Sequence, residues 1–237
     1  MDRRRFVRLC ATSMAVAGAP SGALSAIEGE PRRYDPATLV DREGRPIKAS
    51  QLLPDRNYLF HYPYLGTPCF LLNLATPPSR QEVGLQTDDG LGYHWRGGVG
   101  PRHAIVSYSA ICAHQLAYPT KQLSFISYKG TPGKNSRATP NTIHCCAEHS
   151  EYDPAAGARV VAGPAKQPLA AILLEYQPQT DALLAVGTVG GELFEAFFAK
   201  YDFKLAMEHG RDKARQRVSG TTVVSELTQF CQQEIHC

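Results

Sequence analysis

Four residues in two short segments carry the chemistry that this sequence offers most clearly. Cys112-Ala113-His114 is a Cys-x-His, and Cys146-Ala147-Glu148-His149 is a Cys-x-x-His. Zinc fingers usually pair Cys with Cys and His with His. Here each segment supplies one thiolate and one imidazole. That donor set suits an asymmetric two-iron cluster, with two thiolates on one iron and two imidazoles on the other. Cys146 stands at two-residue spacing from His149 and is the expected ligand; its neighbour Cys145 would give a spacing of three. His144 is a third imidazole, but it precedes the segment and falls outside the set. Of the seven Cys, Cys10 lies near the N-terminus, and Cys69, Cys145, Cys231 and Cys237 are left over.

Both segments follow strand candidates, Ala104–Tyr108 and the run that ends at Ile143, so a rigid β scaffold could bring them together. The runs Asn57–Tyr62 and Cys69–Leu74 flank Gly66-Thr67-Pro68 and read as a β-hairpin. Leu123–Tyr128 alternates like a strand, and 159–161, 170–176 and 183–186 add three more strand candidates. Residues 27–50 read as a polar, Pro-rich surface wrap in which Arg45-Pro46-Ile47 begins the first strand. Residues 75–102 and 129–142 read as loops. From Glu192 the period changes. Leu193, Phe194, Phe197, Phe198, Tyr201 and Leu205 recur at helical spacing and predict a short amphipathic helix packed on the sheets, followed by a polar, irregular tail.

Composition agrees with a β-rich body. The 237 residues hold 20 Gly and 17 Pro, about one residue in six, which favours short strands and turns over a helical bundle. The net charge of +3 comes from the N-terminus, where residues 1–26 carry four Arg and one acid. The remainder balances at 21 basic against 21 acidic residues, so no basic footprint for nucleic acid exists. No run of 18 apolar residues is present to give a strongly hydrophobic membrane span.

The N-terminus resembles a twin-arginine export signal. Arg3-Arg4-Arg5-Phe6-Val7-Arg8 is followed by a modestly apolar stretch and by the small residues Ser21-Gly22-Ala23 at a candidate cleavage point. The resemblance implies a bacterial periplasmic protein exported folded, with its metal cofactor already inserted. Uncleaved, the segment could also serve as a weak membrane anchor. Six thiols in an exported body would by default form a disulfide framework, and the two metal-type segments argue for a different use of some of them.

The body resembles the Rieske [2Fe–2S] proteins. That family has a Cys-x-His-x-Gly-Cys loop, a Cys-x-Cys-His-Gly-Ser-x-Tyr/Phe-Asp loop and a Gly-Pro-Ala type proline loop, in that order. Here they correspond to Cys112–Ala117, to the segment that continues His149-Ser150-Glu151-Tyr152-Asp153-Pro154, and to Gly163-Pro164-Ala165. Gly44–Ile47 and Gly66–Leu72 also resemble the start of the fold, so the match spans about Arg45 to Val189. The sequence departs from the family in three ways. The two extra Cys that tie the family's loops are replaced by Ala117 and Glu148. One residue is missing between His149 and Ser150. The link between the metal loops is long.

The resemblance implies an all-β fold, a Rieske-like antiparallel β-sandwich with a cluster-binding subdomain and a short C-terminal helix. It divides the chain into 1–26 (signal or anchor), 27–190 (Rieske domain) and 191–237 (helix and tail). It implies a [2Fe–2S] cluster held by Cys112 and Cys146 on the buried iron and by His114 and His149 on the outer iron, which is the one reduced. Ser150 and Tyr152 would donate hydrogen bonds to cluster sulfurs, and Gly163 and Pro164 would shield the cluster from water. Cys231 with Cys237, and Cys69 with Cys145 in place of the family's loop disulfide, are candidate pairs among three connectivities. The function implied is one-electron transfer as the iron–sulfur subunit of a periplasmic respiratory oxidoreductase of the arsenite-oxidase type. Its partners would be a larger molybdopterin subunit and a cytochrome c or similar acceptor. The alternatives are the iron–sulfur subunit of a quinol–cytochrome c reductase, beside a cytochrome b/c complex, and a zinc-stapled structural module.

Overall fold

The computed structural model describes residues 29–131 and 138–237. The expected export signal and anchor fall on residues 1–26, outside the described residues. Among the described residues no helix is long and apolar enough to cross a membrane.

The chain is all-β with one long helix. In order the strands are β1 (Arg32–Val40), β2 (Tyr58–His61), β3 (Pro68–Asn73), β4 (Val83–Gln86), β5 (Gly92–Trp95), β6 (Ile105–Ser109), β7 (Leu123–Ser124), β8 (Ile126–Lys129), β9 (Thr142–Cys145), β10 (Ser150–Asp153), β11 (Arg159–Ala162), β12 (Ala171–Gln177) and β13 (Ala182–Val189). Helix α1 (Phe194–His209) follows, then β14 (Gly220–Val223), β15 (Ser225–Glu226), a single-turn α2 (Leu227–Phe230) and β16 (Gln233–Glu234).

Eight strands form one sheet in the order β14-β1-β13-β12-β6-β3-β2-β15. All its pairings are antiparallel except that of β1 with β14. The hairpin expected on either side of Gly66 is β2–β3, with Leu59 opposite Phe70 and Phe60 opposite Cys69. The sheet curls so that edge strand β14 comes back against β2, where the Thr222 hydroxyl donates to the His61 carbonyl (2.9 Å). Period-two alternation then splits the side chains between two cores. Phe60, Leu71, Leu39 and Leu183 fill the inside of the curl. Leu59, Phe70, Leu72 and Tyr108 point outward into a second core.

That second core is shared with a smaller sheet, β11-β10-β9-β8, which contributes Ile126, Ile143 and Tyr152. Cys112 and Cys145 belong to the same core, so the expected metal loops sit where the two sheets face each other. Helix α1 buries Phe194, Phe197, Phe198 and Leu205, most of the stripe read from the sequence. These pack on Ile111 and Tyr118, directly beside the first loop.

Three stretches differ from the sequence reading. Residues 27–50 are not only a wrap, since Arg32–Val40 is a nine-residue strand in the main sheet. Its outer half is exposed, so its apolar alternation is short. Residues 75–102 hold the hairpin β4–β5. The tail is ordered rather than irregular: β14 and β15 join the main sheet and β16 runs parallel to β7.

Candidate metal centre

The first loop leaves β6 and turns tightly. Leu116 N donates to Cys112 O (2.9 Å) and Cys112 N to Ala117 O (2.8 Å), with Leu116 in the left-handed region at φ 59°. This curl aims the backbone N–H groups of His114 and Gln115 at the Cys112 sulfur. The second loop is the turn of the β9–β10 hairpin, whose last pair is Ser150 opposite Cys145. Its backbone aims the N–H groups of Ala147 and Glu148 at the Cys145 sulfur. Each thiol therefore accepts from the residues two and three positions ahead, and two such concave N–H nests face each other.

The two sulfurs meet. Cys112 and Cys145 are buried to 1% and 0% exposure, and they hydrogen-bond to one another. Donation from the Cys145 thiol is the main influence that draws Cys112 down to about 6. The Tyr152 hydroxyl and the two backbone N–H groups act the same way, and burial opposes them. Cys145 is pushed up, first by that same hydrogen bond and then by burial. The hydrogen bond thus favours the thiolate on Cys112 and the thiol on Cys145.

Tyr152 comes from β10 and is fully buried. Its oxygen lies 3.3 Å from the Cys112 sulfur and accepts from Ala113 N at 3.0 Å. With its lone pair engaged by that N–H, its proton is available to the sulfur. Ser150 is fully buried as well, and its oxygen accepts from Ala165 N (3.2 Å), tying the third loop to the second. Gly163 permits this approach. It sits at φ 85°, and a Cβ there would fall 2.3 Å from the His149 carbonyl oxygen. Pro164, Ala113 and His114 together line a cavity of about 690 Å³, whose rim carries Arg32, Lys166 and Glu192.

The two expected imidazoles are placed differently. His114 Nδ1 is buried without a hydrogen-bond partner. A buried ring nitrogen left unmatched is costly unless something else binds it, and a metal does so. His149 is exposed, takes φ 56° at the end of the turn, and rests its ring 5.6 Å from that of His144.

Cys146 corrects the sequence reading. It is bonded to Cys237 and so has no thiolate to offer, whereas Cys145 points into the core. Successive side chains on a strand face opposite ways, and the Ser150–Cys145 register turns Cys145, not Cys146, toward Cys112. The candidate disulfides change too. Cys237 pairs with Cys146 rather than Cys231, which stays a free buried thiol. Cys69 is also free, fully buried, and donates to the Tyr62 carbonyl (3.0 Å). Burial pushes its thiol up, so it is inert. Strand alternation across Cys145-Cys146 was the available signal for the first correction; 91 residues separate the bridged pair, and no local pattern announces it.

The tail that carries Cys237 is firmly seated. Ile235 N donates to Ser124 O (2.9 Å), Ser127 donates to Glu234 (2.7 Å), and Lys129 pairs with the same carboxylate. No protein-family model matches the chain. Among solved structures, it resembles the soluble domain of the Rieske protein II (soxF) from Sulfolobus acidocaldarius, at 25% identity and a TM-score of 0.43, with 65% of this chain and 78% of that chain covered.

Proposed function

We propose that this chain is a one-electron carrier holding a Rieske-type [2Fe–2S] cluster, with Cys112 and Cys145 as thiolates on one iron and His114 and His149 as imidazoles on the other. The observation that carries the reading is the pair of facing thiol nests. Two buried sulfurs from separate loops each accept two backbone N–H groups, with Tyr152 beside one of them and the unmatched His114 Nδ1 on the first loop. The residues fit the group on the thiolate side and at His114. His149 completes the set from the solvent side of the same turn.

When bound, such a cluster supplies a one-electron couple, which in Rieske centres lies at about −150 to +300 mV. The protein's part is electrostatic. Four backbone N–H groups and the Tyr152 hydroxyl stabilise negative charge on the ligand sulfurs, and more so in the reduced, more negative state, which raises the potential. The Gly163-Pro164-Ala165 loop, fastened to Ser150, keeps water from the buried side. His114 opens on the cavity lined by Arg32, Lys166 and Glu192, and His149 lies exposed at the surface, so a redox partner could approach either ligand ring.

We further propose export by the twin-arginine route to the periplasm. The chain would act there as the small subunit of a molybdopterin oxidoreductase of the arsenite-oxidase type that passes electrons to a cytochrome c. The weakly apolar N-terminal segment favours this over a subunit of a quinol–cytochrome c reductase. The test is elemental and spectroscopic analysis of the full chain as purified. Two iron and two acid-labile sulfides per chain, with an electron-resonance signal on reduction, are expected; stoichiometric zinc without sulfide overturns the proposal.

A further inference from the structure

The β9–β10 hairpin has a second face. Cys145 turns inward, while His144, His149 and Cys237 gather on the other side, with one ligand atom from each lying within 4.8 Å of the others. His144 is 1% exposed, and its Nε2 lies 3.7 Å from the Cys237 sulfur. Its Nδ1 lies 3.7 Å from a carboxylate oxygen of Glu151. That carboxylate is 6% exposed; one oxygen accepts from Thr139 N (3.3 Å), and the other is buried without a partner. The Cys146 sulfur is bonded to that of Cys237. Two sulfurs, the His144 imidazole and a buried carboxylate thus share one small volume on the face opposite Cys145, with His149, the ring proposed for the outer iron, at its edge.

We propose that this face is a second, redox-gated metal site, closed while Cys146 and Cys237 are joined and able to take zinc once a dithiol donor has reduced them. Reduction breaks the S–S bond. Two electrons and two protons pass from the dithiol, which becomes a disulfide, and Cys146 and Cys237 become thiols. Zinc then displaces the two thiol protons to solvent without changing its own oxidation state. Cys146, Cys237 and His144 Nε2 supply three ligands of a tetrahedral site. His149 supplies the fourth where iron does not hold it, and water does otherwise. Glu151, beside Nδ1, is the carboxylate that fixes the ring and leaves Nε2 for the metal, the usual second partner of a metal-bound imidazole. The tail stays in place when the bridge opens, because β16 and the Lys129–Glu234 pair hold it independently of the sulfurs.

The experiment uses the full chain as purified, with and without a phosphine reductant, and cobalt(II) as a coloured stand-in for zinc. One cobalt per chain with a thiolate charge-transfer band is expected only after reduction, bleached by added zinc, with affinity at least a hundredfold weaker before reduction. Cys237→Ser and His144→Gln each abolish the band, Glu151→Gln weakens binding about tenfold, and Cys145→Ser retains the band. An equal band in the unreduced chain, or one kept in Cys237→Ser but lost in Cys145→Ser, overturns the proposal. Iron and sulfide measured on the same samples report on the cluster separately, so either reading can fail without the other.

Discussion

Replacing Tyr152 by Phe isolates one hydrogen bond to the Cys112 sulfur, a ligand in the proposed cluster. The ring is fully buried in the core between the sheets, and Phe keeps its shape, so packing is conserved. What disappears is the hydroxyl that lies 3.3 Å from the Cys112 sulfur and accepts from Ala113 N. A hydrogen bond to a charged group contributes about 1.5 to 3 kcal/mol. In the proposed cluster the sulfur would be an anion in both oxidation states, so only the part that grows on reduction would move the potential. Taking about half of it gives a differential of about 0.75 to 1.5 kcal/mol. One electron converts a tenfold change in equilibrium, about 1.4 kcal/mol, into about 59 mV. The sign follows from charge: the donor favours the more negative, reduced state, so its loss lowers the midpoint, by about 30 to 65 mV. Voltammetry of wild type and variant at one pH, with iron content measured on both, is the assay. The Ala113 N–H also loses its acceptor, so a stability loss of about 1 to 2 kcal/mol accompanies the shift. A variant with full iron content and an unmoved or raised midpoint refutes the reasoning and removes Tyr152 from the tuning of the centre.

Cys145→Ser is expected to abolish iron binding while Cys146→Ser retains it; iron analysis giving the reverse would restore Cys146 to the ligand set. Gly163→Ala places a methyl 2.3 Å from the His149 carbonyl oxygen at a backbone angle that suits glycine, so it should lower stability by about 2 kcal/mol or more, read by thermal melting, and expose the centre to solvent. His61 sits beside His209 and Lys121, and burial foremost, then those two charges, lower its pKa from 6.5 to about 4. The unfolded chain binds that proton more readily, so the stabilisation is complete above pH 6.5 and is lost as pH falls toward 4, by about 2 to 3 kcal/mol. Denaturant titrations between these limits should show the slope in wild type and a flatter profile in His61→Gln.

The parts legible in the sequence are those where a local rule acts alone. The β2–β3 hairpin follows from two alternating runs around Gly66-Thr67-Pro68, and α1 from aromatic residues at helical spacing. Cys112-Ala113-His114 stood out as a candidate because a thiol and an imidazole two residues apart at the end of a strand form a local metal-type spacing. The missed parts depend on partners far along the chain. Strand β1 exposes its first half and buries Ala37, Leu39 and Val40 only because β13 and β14 lie on either side of it. The tail is polar and still orders, since its strands pair with β1, β2 and β7, each more than a hundred residues earlier.

The exchange of Cys145 for Cys146 shows how the two kinds of information combine. Motif spacing alone treats adjacent cysteines as interchangeable and prefers the one two residues from the next imidazole. The strand does not treat them so: once Ser150 faces Cys145 across the hairpin, one sulfur must enter the core and its neighbour must turn away. The outward sulfur then needs a fate, and the tail supplies one. A bridge across 91 residues restrains the unfolded chain by about 4 to 5 kcal/mol on a chain-entropy estimate. Ala117 and Glu148 leave no thiols for a direct tie between the loops. The hairpin turn is instead held on its inner side by the Cys112–Cys145 contact and on its outer side by the C-terminus. The same strand register that assigns the inner thiol to the candidate cluster therefore also determines which cysteine the tail can reach.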